Sequence, residues 1–400
     1  MTDIFCDSFI HPFCECNALA AETHMDILHP MDPRATRLAA VMIDHSLEVR
    51  QGDRLLLCAS DLTTMDLLHE CYRLGIERGA EVELDIIAMQ LHRGRSDAGG
   101  LLKTFLTCAS QEQLTHTPEL ALHKLEWANK FLFIVSIHDE LFLAGIDPAR
   151  IDAWRSPRFV LLEKILDTNK EWVLTQFPTE STAKNAGMDL EKCIDFFYDS
   201  CLIDYPQEAK RLQALQDILD AGDRVRVVAP GTDLTLGIHD RLAAGTNLGR
   251  RNVPDGECFV GPEEDITQGI ITFELPQVRE GNEVGGIRLE FAGGSVVSHS
   301  AQTGSGYLQR VLDDHPGNRR IGELGIGMNR NIRRYMRCTL FDEKIAGTVH
   351  FALGRSYDDP RGGGKNKGTI HWDLVKDLRS PRTLVTVDGR AIIRDGEVLV

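Results

Sequence analysis

The sequence predicts an α/β N-terminal domain followed by a β-rich (α+β) C-terminal domain that carries a metal site. Three observations support this fold class. Helical and strand-like segments alternate through the first half of the 400 residues, a pattern typical of βαβ units and a largely parallel sheet. After Gly222 short strands and glycine-containing turns replace this alternation. Histidines and carboxylates then concentrate between Phe341 and Asp373.

The N-terminal half supplies the alternating elements in order. Apolar spacing predicts helices over RATRLAAVMIDHSLEV and LTTMDLLHECYRLGIERGA, the second ending near Gly79. Apolar runs predict strands at GDRLLLCAS, EVELDIIA, KFLFIVSI and EWVLTQFP. No G-x-G-x-x-G follows the first strand and no Walker loop occurs, so a nucleotide site in this half would lack its phosphate cradle.

The helix EAKRLQALQDILDAG is expected to connect the two domains, with a boundary near residue 215. We therefore divide the chain into an α/β domain, 31–215, and a β-rich metal-binding domain, 216–400. Strands and hairpins are predicted in the second domain at DRVRVVAPGTDLTLGI, GIITFELP, VGGIRLEFAGGSVVSHSA and RTLVTVDGRAIIRDGEVLV. Because Met31 begins a segment that resembles a natural start, residues 1–30 are expected to form a flexible extension.

Composition limits the possible partners and location. The net charge of −16 argues against nucleic acid or an anionic membrane as a partner. No apolar run reaches the roughly eighteen residues of a membrane span, and no signal peptide is evident, so we expect a cytoplasmic protein. The ten cysteines lack zinc-ribbon spacing, and most are expected to be buried thiols. Cys6, Cys14 and Cys16 lie near His11, but an unstructured extension is the simpler interpretation.

Two strand-like runs late in the chain predict a hairpin with metal ligands at its base. In TIHWDLV the period of two places His371 and Asp373 on one face and Trp372 on the other. His350 lies in the second run, GTVHFALG, and shares a face with Ala352. The long loop between these runs contains Tyr357 and a flexible Gly-Gly-Gly, and loops of this length usually line an active site or are disordered.

Further carboxylates from the same half extend this candidate site. Glu257 follows a Pro-Asp-Gly turn, and Glu323 is flanked by glycines that allow a close backbone approach. The candidate metal ligands are Glu257, Glu323, Glu343, His350, His371 and Asp373. Such an anionic set is too costly to bury empty, whereas two divalent cations would neutralise it and activate a water. Each residue alone is weak evidence, so the interpretation depends on their combination.

Several sequence blocks resemble the M29 family of metallo-aminopeptidases, the thermophilic aminopeptidase T type. They are NVPDGECFVGPEEDITQGIITFELP, RRIGELGIGMN, FDEKIAGTVHFALGRSY and GGGKNKGTIHWDLV, together with blocks at the start of both domains. The resemblance spans residues 31–400 and implies an N-terminal α/β domain, a β-rich domain with a two-metal centre, and a homodimer. It implies that the six candidates above are the metal ligands and that Tyr357 is the catalytic tyrosine.

These parts imply removal of single N-terminal residues from peptides with a free N-terminus. Two divalent metal ions (Zn, Co, Mn or Mg) would bind the amino group and activate the attacking water. Tyr357 would hydrogen-bond the developing oxyanion. Glu257 or Glu323 would carry the proton to the leaving amine, and the residues leave open which of the two does so.

Two other interpretations remain open. His350, His371 and Asp373 alone form the two-histidine, one-carboxylate set that holds ferrous iron in oxygenases, and ring-opening dioxygenases of dihydroxypyridines are similar to M29 proteins in fold. That alternative predicts that Glu257, Glu323 and Glu343 are dispensable. The other is a non-enzymatic binding protein, which would normally have lost ligands. Outside the site, the basic segment GMNRNIRRYMR is expected to be a solvated face.

Overall fold

The structure is a computed structural model that describes residues 32–86, 100–139, 141–167, 170–246, 248–279 and 281–400. The expected extension 1–30 lies outside these ranges, together with Cys6, His11, Cys14 and Cys16. The end of the predicted strand EVELDIIA also lies outside them. No helix of the described ranges is both long enough and apolar enough to cross a membrane.

The first half alternates helices with single strands, as the sequence predicts. Helix α1 continues into a π-helical segment, Val41–Ser46. The elements are α1 (Pro33–Ala40), β1 (Arg54–Ala59), α2 (Met65–Glu77), β2 (Glu81–Ile86), α3 (Leu101–Cys108), α4 (Gln111–Thr115), α5 (Glu119–Trp127), β3 (Lys130–Val135), α6 (Pro148–Asp167), β4 (Glu171–Gln176), α7 (Glu180–Asn185), α8 (Leu190–Cys201) and α9 (Tyr205–Asp220).

The second half consists mainly of short strands with two further α-helices and a 3₁₀ segment, Pro316–Arg319. The elements are β5 (Arg224–Ala229), β6 (Thr232–Gly237), β7 (Asn252–Val253), β8 (Glu257–Val260), β9 (Gln268–Phe273), β10 (Gln277–Arg279), β11 (Asn282–Val284), β12 (Ile287–Ala292), β13 (Ser295–Ser300), α10 (Ser305–Asp314), β14 (Ile321–Gly327), α11 (Thr339–Asp342), β15 (Thr348–Gly354), β16 (His371–Asp377), β17 (Leu384–Val387), β18 (Arg390–Arg394) and β19 (Glu397–Val398).

The N-terminal sheet is parallel, in the order β2-β1-β3-β4-β7. Successive residues of β1 enter different cores: Leu55 and Leu57 pack with α1, α2 and α8, whereas Leu56 and Cys58 pack on the opposite face with α5. A strand that is buried on both faces needs the unbroken apolar run seen in RLLLCA. The α/β part of the predicted fold class is therefore confirmed.

Strand β7 joins this parallel sheet although it follows helix α9. It pairs with β4 through Leu174–Asn252 and Thr175–Val253, and the chain then leads directly into β8. Because ligands of open α/β sheets collect at the carboxyl ends of the strands, β7 delivers Glu257 to the ligand-binding edge of the N-terminal sheet. The domain boundary near residue 215 stays a prediction, and the sheets of the two halves meet through β7.

Two large antiparallel sheets form most of the C-terminal part, an eight-stranded one (β13-β12-β9-β6-β5-β17-β18-β19) and a four-stranded one (β16-β15-β14-β8), and β10 and β11 pair in a separate two-stranded sheet. One hydrophobic core contains residues of both, such as Val225 and Ile271 from the first and Leu324 and Phe351 from the second. Since side chains alternate across a strand, the neighbours of these core residues point to the opposite face. That opposite face of the four-stranded sheet carries the candidate ligands.

Two segments outside the site contain structure that the sequence pattern does not predict. In AQTGSGYLQ, Gly304 lies in the left-handed region (φ +70°), and helix α10 begins directly after it. The basic segment GMNRNIRRYMR was expected to be a solvated face, and Arg330, Arg333 and Arg334 are exposed. The segment also docks on the N-terminal domain, because Asn331 Nδ2 donates to the carbonyl of Asp199 at 2.7 Å and Arg334 donates to the carbonyl of Ala186.

Candidate metal centre

The four-stranded sheet brings all six candidate ligands together on one face. Each of the four strands contributes at least one ligand. Glu257 begins β8, Glu323 lies on β14, His350 on β15, and His371 and Asp373 on β16. The sixth, Glu343, directly follows helix α11. The predicted antiparallel pairing of the last two strands is present, with Ala352 opposite Asp373 and Gly354 opposite His371. Their role as metal ligands stays a prediction that the geometry below supports.

The six side chains fall into two adjoining triads, each with ligand atoms within 4.8 Å of one another. The first triad consists of Glu257, Glu343 and His350. The second consists of Glu323, His371 and Asp373. Each triad therefore offers one imidazole nitrogen and two carboxylate oxygens.

Glu323 lies between the two triads and contacts the histidine of each. Its Oε1 is 3.1 Å from His350 Nε2, and its Oε2 is 3.4 Å from His371 Nε2. The side chain is almost fully buried, with 5% of it exposed. Glu323 is thus the carboxylate that joins the two triads.

Both histidines are oriented by backbone carbonyls. His350 donates from Nδ1 to the carbonyl of Glu343 at 3.1 Å, and His371 donates from Nδ1 to the carbonyl of Arg355 at 2.7 Å. Such outer contacts fix the ring and leave Nε2 as the ligand atom, which is the usual arrangement of metal-binding histidines.

Two of the ligands that lie outside the hairpin follow an aspartate that fixes the preceding turn, the half-buried Asp255 before Glu257 and the buried Asp342 before Glu343. Before Glu257, Asp255 accepts hydrogen bonds from the backbone of Gly249 and Gly256, both at 2.7 Å. Before Glu343, Asp342 accepts hydrogen bonds from the backbone of Met336 at 2.6 Å and Cys338 at 2.7 Å. Burial raises the pKa of both aspartates. Each therefore fixes a turn from within, immediately before a ligand.

Tyr357 stands where the site opens to solvent. Its hydroxyl lies 3.3 Å from His371 Nε2, and its ring contacts the ring of Phe259 edge to face at 5.8 Å between centroids. Tyr357 is 48% exposed, and 24% of the His371 side chain is exposed, whereas His350 is 1% exposed. The site is therefore open to solvent on the Tyr357 and His371 side.

The loop that carries Tyr357 is held by hydrogen bonds rather than free. Ser356 donates its N–H to the carbonyl of Asn366 at 3.0 Å, and Gly364 donates to the carbonyl of Tyr357 at 3.2 Å. The Gly-Gly-Gly that we expected to be flexible is closely packed: a β-carbon on Gly362 would lie 2.3 Å from the Phe259 ring. These glycines permit close packing, and the long loop lines the site as expected.

The carboxylates and imidazoles of the site shift one another's pKa values. Burial raises the pKa of Glu257 to about 8 and also raises the pKa of Glu343. Burial opposes protonation of the histidines, but their carboxylate neighbours outweigh it and raise the pKa of His350 to about 9 and that of His371 to about 10. Protons on the imidazoles thus take the place that cations would occupy, and binding a cation would release them.

Lys344 is part of the site although the sequence interpretation missed it. The side chain is completely buried; its Nζ lies 3.3 Å from Glu257 Oε1 and also pairs with Glu343. A lysine beside a glutamate is usually solvated, so nothing in the sequence singles it out.

Two buried oxygen atoms indicate that cations fit this site. Glu257 Oε2 and Glu323 Oε2 are buried and have no hydrogen-bond partner among the described residues. A buried carboxylate oxygen without a partner costs free energy that a bound cation would recover. Since carboxylates and imidazoles suit zinc, cobalt, manganese and related divalent ions, the donor set fits a metal.

Comparisons with known proteins identify the family of this chain. The family model described as thermophilic metalloprotease (M29) matches residues 31–398. Aminopeptidase 2 of Geobacillus stearothermophilus is 28% identical over 285 residues, which cover 62% of this chain and 68% of that protein. Aminopeptidase T of Thermus aquaticus is 31% identical over 189 residues, which cover 42% of this chain and 44% of that protein. The chain thus matches about half to two thirds of the length of these curated relatives.

Two solved structures are similar in fold. Wild-type AmpT from Thermus thermophilus has a TM-score of 0.76 at 23% identity, covering 92% of this chain and 99% of that one. A 2,5-dihydroxypyridine dioxygenase from Pseudomonas putida KT2440 has a TM-score of 0.59 at 14% identity, covering 92% and 97%. At these identities the likenesses show the fold alone.

An α/β domain joined to a β-rich domain with two histidine–carboxylate triads defines a metal-dependent enzyme. The chain belongs to the M29 family of thermophilic metalloproteases, and the resemblance found in its sequence is confirmed. It is therefore a metal-dependent hydrolase that acts on peptide bonds.

Proposed function

We propose that this protein is an aminopeptidase that removes single N-terminal residues from peptides with the aid of two divalent metal ions. The observation that carries the proposal is the pair of adjoining triads with Glu323 between them. One triad would suffice for a single ion, and the second would then be a costly group of buried carboxylates with no purpose. The names of the curated relatives, aminopeptidases 2 and T, support the same activity.

The residues of the chain would perform the remaining tasks. When bound, two cations lower the pKa of a water and polarise the scissile carbonyl. Tyr357, at the open side beside His371, would donate its hydroxyl hydrogen to the carbonyl oxygen as negative charge develops there. Glu257 and Glu323 each keep one oxygen without a hydrogen-bond partner. Either of them would accept the proton from the attacking water and pass it to the leaving amine.

The amino terminus of the substrate would be the group that restricts cleavage to one residue. A free amine in its neutral form offers a lone pair to these cations, whereas an acylated amine does not. Peptides with a free N-terminus are therefore the expected substrates. A homodimer in the cytoplasm, as the family resemblance and the sequence suggest, remains part of the proposal.

A matched pair of substrates tests the proposed activity. Leucyl p-nitroanilide offers a free amine, and its N-acetylated form is otherwise identical. We expect the purified protein with zinc, cobalt, manganese or magnesium to release p-nitroaniline from the first and not from the second, and chelation to stop the reaction. Equal cleavage of both compounds, or full activity after chelation, would contradict an aminopeptidase.

The alternative is a mononuclear ferrous dioxygenase that uses His350, His371 and Asp373. The fold likeness to a dihydroxypyridine dioxygenase keeps this alternative specific enough to test. It leaves Glu257, Glu343 and their shared contact with Lys344 without a role, which is why we favour the peptidase. One iron per chain, with oxygen uptake on a dihydroxypyridine and no release of p-nitroaniline, would decide for the dioxygenase.

A further inference from the structure

Lys344 distinguishes the two triads, although nothing in the proposed reaction requires it. Its ammonium contacts the two carboxylates of the first triad, Glu257 and Glu343, and no water reaches it because the side chain is completely buried. The ion pairs of Glu323 and Asp373 that the described residues show are all with histidine. The first triad thus has a fixed positive charge within it.

The two oxygens of Glu257 make different contacts. Lys344 Nζ lies beside Oε1 of Glu257 and beside Oε1 of Glu343. The other oxygen of Glu257, Oε2, is 3.5 Å from His350 Nε2 and has no hydrogen-bond partner among the described residues. One oxygen is therefore committed to the lysine, and the other faces the position where a cation would contact His350.

Charge then makes the two positions unequal. In the protonation state that binds metal, with the histidines neutral and the carboxylates ionised, the second triad has a charge of −2, whereas Lys344 reduces that of the first to −1. A positive charge close to a divalent cation repels it strongly in a buried site. The same ammonium stabilises the first triad before any metal arrives, because it neutralises carboxylates that would otherwise be buried without a partner.

We propose that Lys344 acts as a built-in cation that keeps Glu257 and Glu343 together and makes the first triad the weaker, exchangeable metal position. This inference rests on the two-metal part of the proposed function. Lys344 is accordingly a positioning residue, which sets how tightly one of the two ions binds. Removing the charge of Lys344 should destabilise the metal-free protein more than the metal-bound protein. The first triad of the variant would therefore bind its ion more tightly.

Zinc titration of the metal-free protein by calorimetry tests this inference. The wild type should show two binding steps of unequal affinity. Lys344→Met should tighten the weaker step by about tenfold or more and enlarge the fall in Tm caused by a chelator. The matched control is Lys376→Met: Lys376 is equally buried but pairs at 2.7 Å with Glu274, outside both triads, and its loss should leave both steps unchanged.

If Lys344→Met leaves the affinity of the weaker zinc-binding step unchanged, or lowers it, the inference is overturned. If that variant does not fold, Glu257→Gln and Asp373→Asn decide the matter, because the first should remove the weak step and the second the tight one. The opposite assignment would also overturn it. A capacity of one zinc ion per chain in the wild type would refute the two-metal function itself, whereas two zinc ions bound with equal affinity would refute only the role of Lys344.

Discussion

Gly325 lies opposite His350 across the β14–β15 ladder, so close that a β-carbon on the glycine would be 1.9 Å from Cε1 of the imidazole. The ring occupies the space that any other residue's side chain would need. This glycine is therefore as necessary to the site as a ligand, because it allows His350 to lie flat against the sheet beside Glu323.

Gly325→Ala should displace His350 and weaken metal binding. A contact of 1.9 Å cannot be relieved by a small shift, since the clashing atom belongs to a rigid ring in a buried strand. We expect metal affinity and peptidase activity to fall by at least about tenfold, as measured by calorimetry and p-nitroanilide release. Gly306→Ala is the control: nothing lies within 4 Å of its added β-carbon. If Gly325→Ala and Gly306→Ala bind metal with equal affinity, the steric role inferred for Gly325 is contradicted.

Tyr357→Phe should lower kcat while KM changes little. The phenylalanine keeps the ring contact with Phe259 and loses the hydroxyl that stands 3.3 Å from His371. Loss of one oxyanion donor typically costs about 10²- to 10³-fold in kcat. Tyr72→Phe, on the exposed side of helix α2, should have no effect. A large rise in KM with unchanged kcat would instead assign Tyr357 to substrate binding.

Glu323→Gln should abolish turnover and leave the protein folded. The amide keeps the size of the side chain but removes the charge between His350 and His371, so the two triads lose their shared ligand. Activity and circular dichroism would be compared with those of Glu290→Gln, a half-buried glutamate on β12 outside the site. Wild-type rates in Glu323→Gln would rule out a dinuclear centre at these residues.

The metal-free protein should lose stability as the pH rises from about 6.5 to 10. The pKa of His350 is raised to about 9 and that of His371 to about 10, above the ordinary histidine value of 6.5. A raised pKa stabilises the fold below the unfolded value, and the contribution disappears as the pH passes the folded value. Burial, which raises the pKa of Glu257 to about 8, acts in the same direction.

Thermal unfolding of chelator-treated protein between pH 6 and 10 measures this effect. The Tm should fall across that window, and the slope should be smaller in His371→Gln. With saturating zinc the slope should also shrink, because the ions replace the imidazole protons. A Tm that rises with pH in the metal-free wild type would show that the raised pKa values are wrong.

The sequence predicted the strands and candidate residues that obey a simple period. The alternation of His371, Trp372 and Asp373 allows only one choice of which strand face is buried. The structure places Trp372 in the core. Strand β7 could not be found, because two residues have no periodicity and its partner β4 is distant in sequence. Helix α10 was hidden by the glycines at its start.

Lys344 and Gly325 were missed for a different reason. Their importance comes from their neighbours in three dimensions. Lys344 contacts two carboxylates from separate elements, and Gly325 lies opposite a histidine on the neighbouring strand. A lone lysine or glycine carries no spacing signal. Glu257 and Glu323 were singled out from the turn residues and glycines beside them, and Glu343 because it lies in the same stretch as His350; the family resemblance then implied that all three are ligands.

The most direct test of the two-metal proposal is the metal content of the active protein, measured by mass spectrometry alongside leucyl p-nitroanilide hydrolysis as a chelator removes the ions. We predict about two divalent ions per chain in the fully active protein and loss of activity as they are withdrawn. Full activity with one ion per chain, or with none, would contradict it.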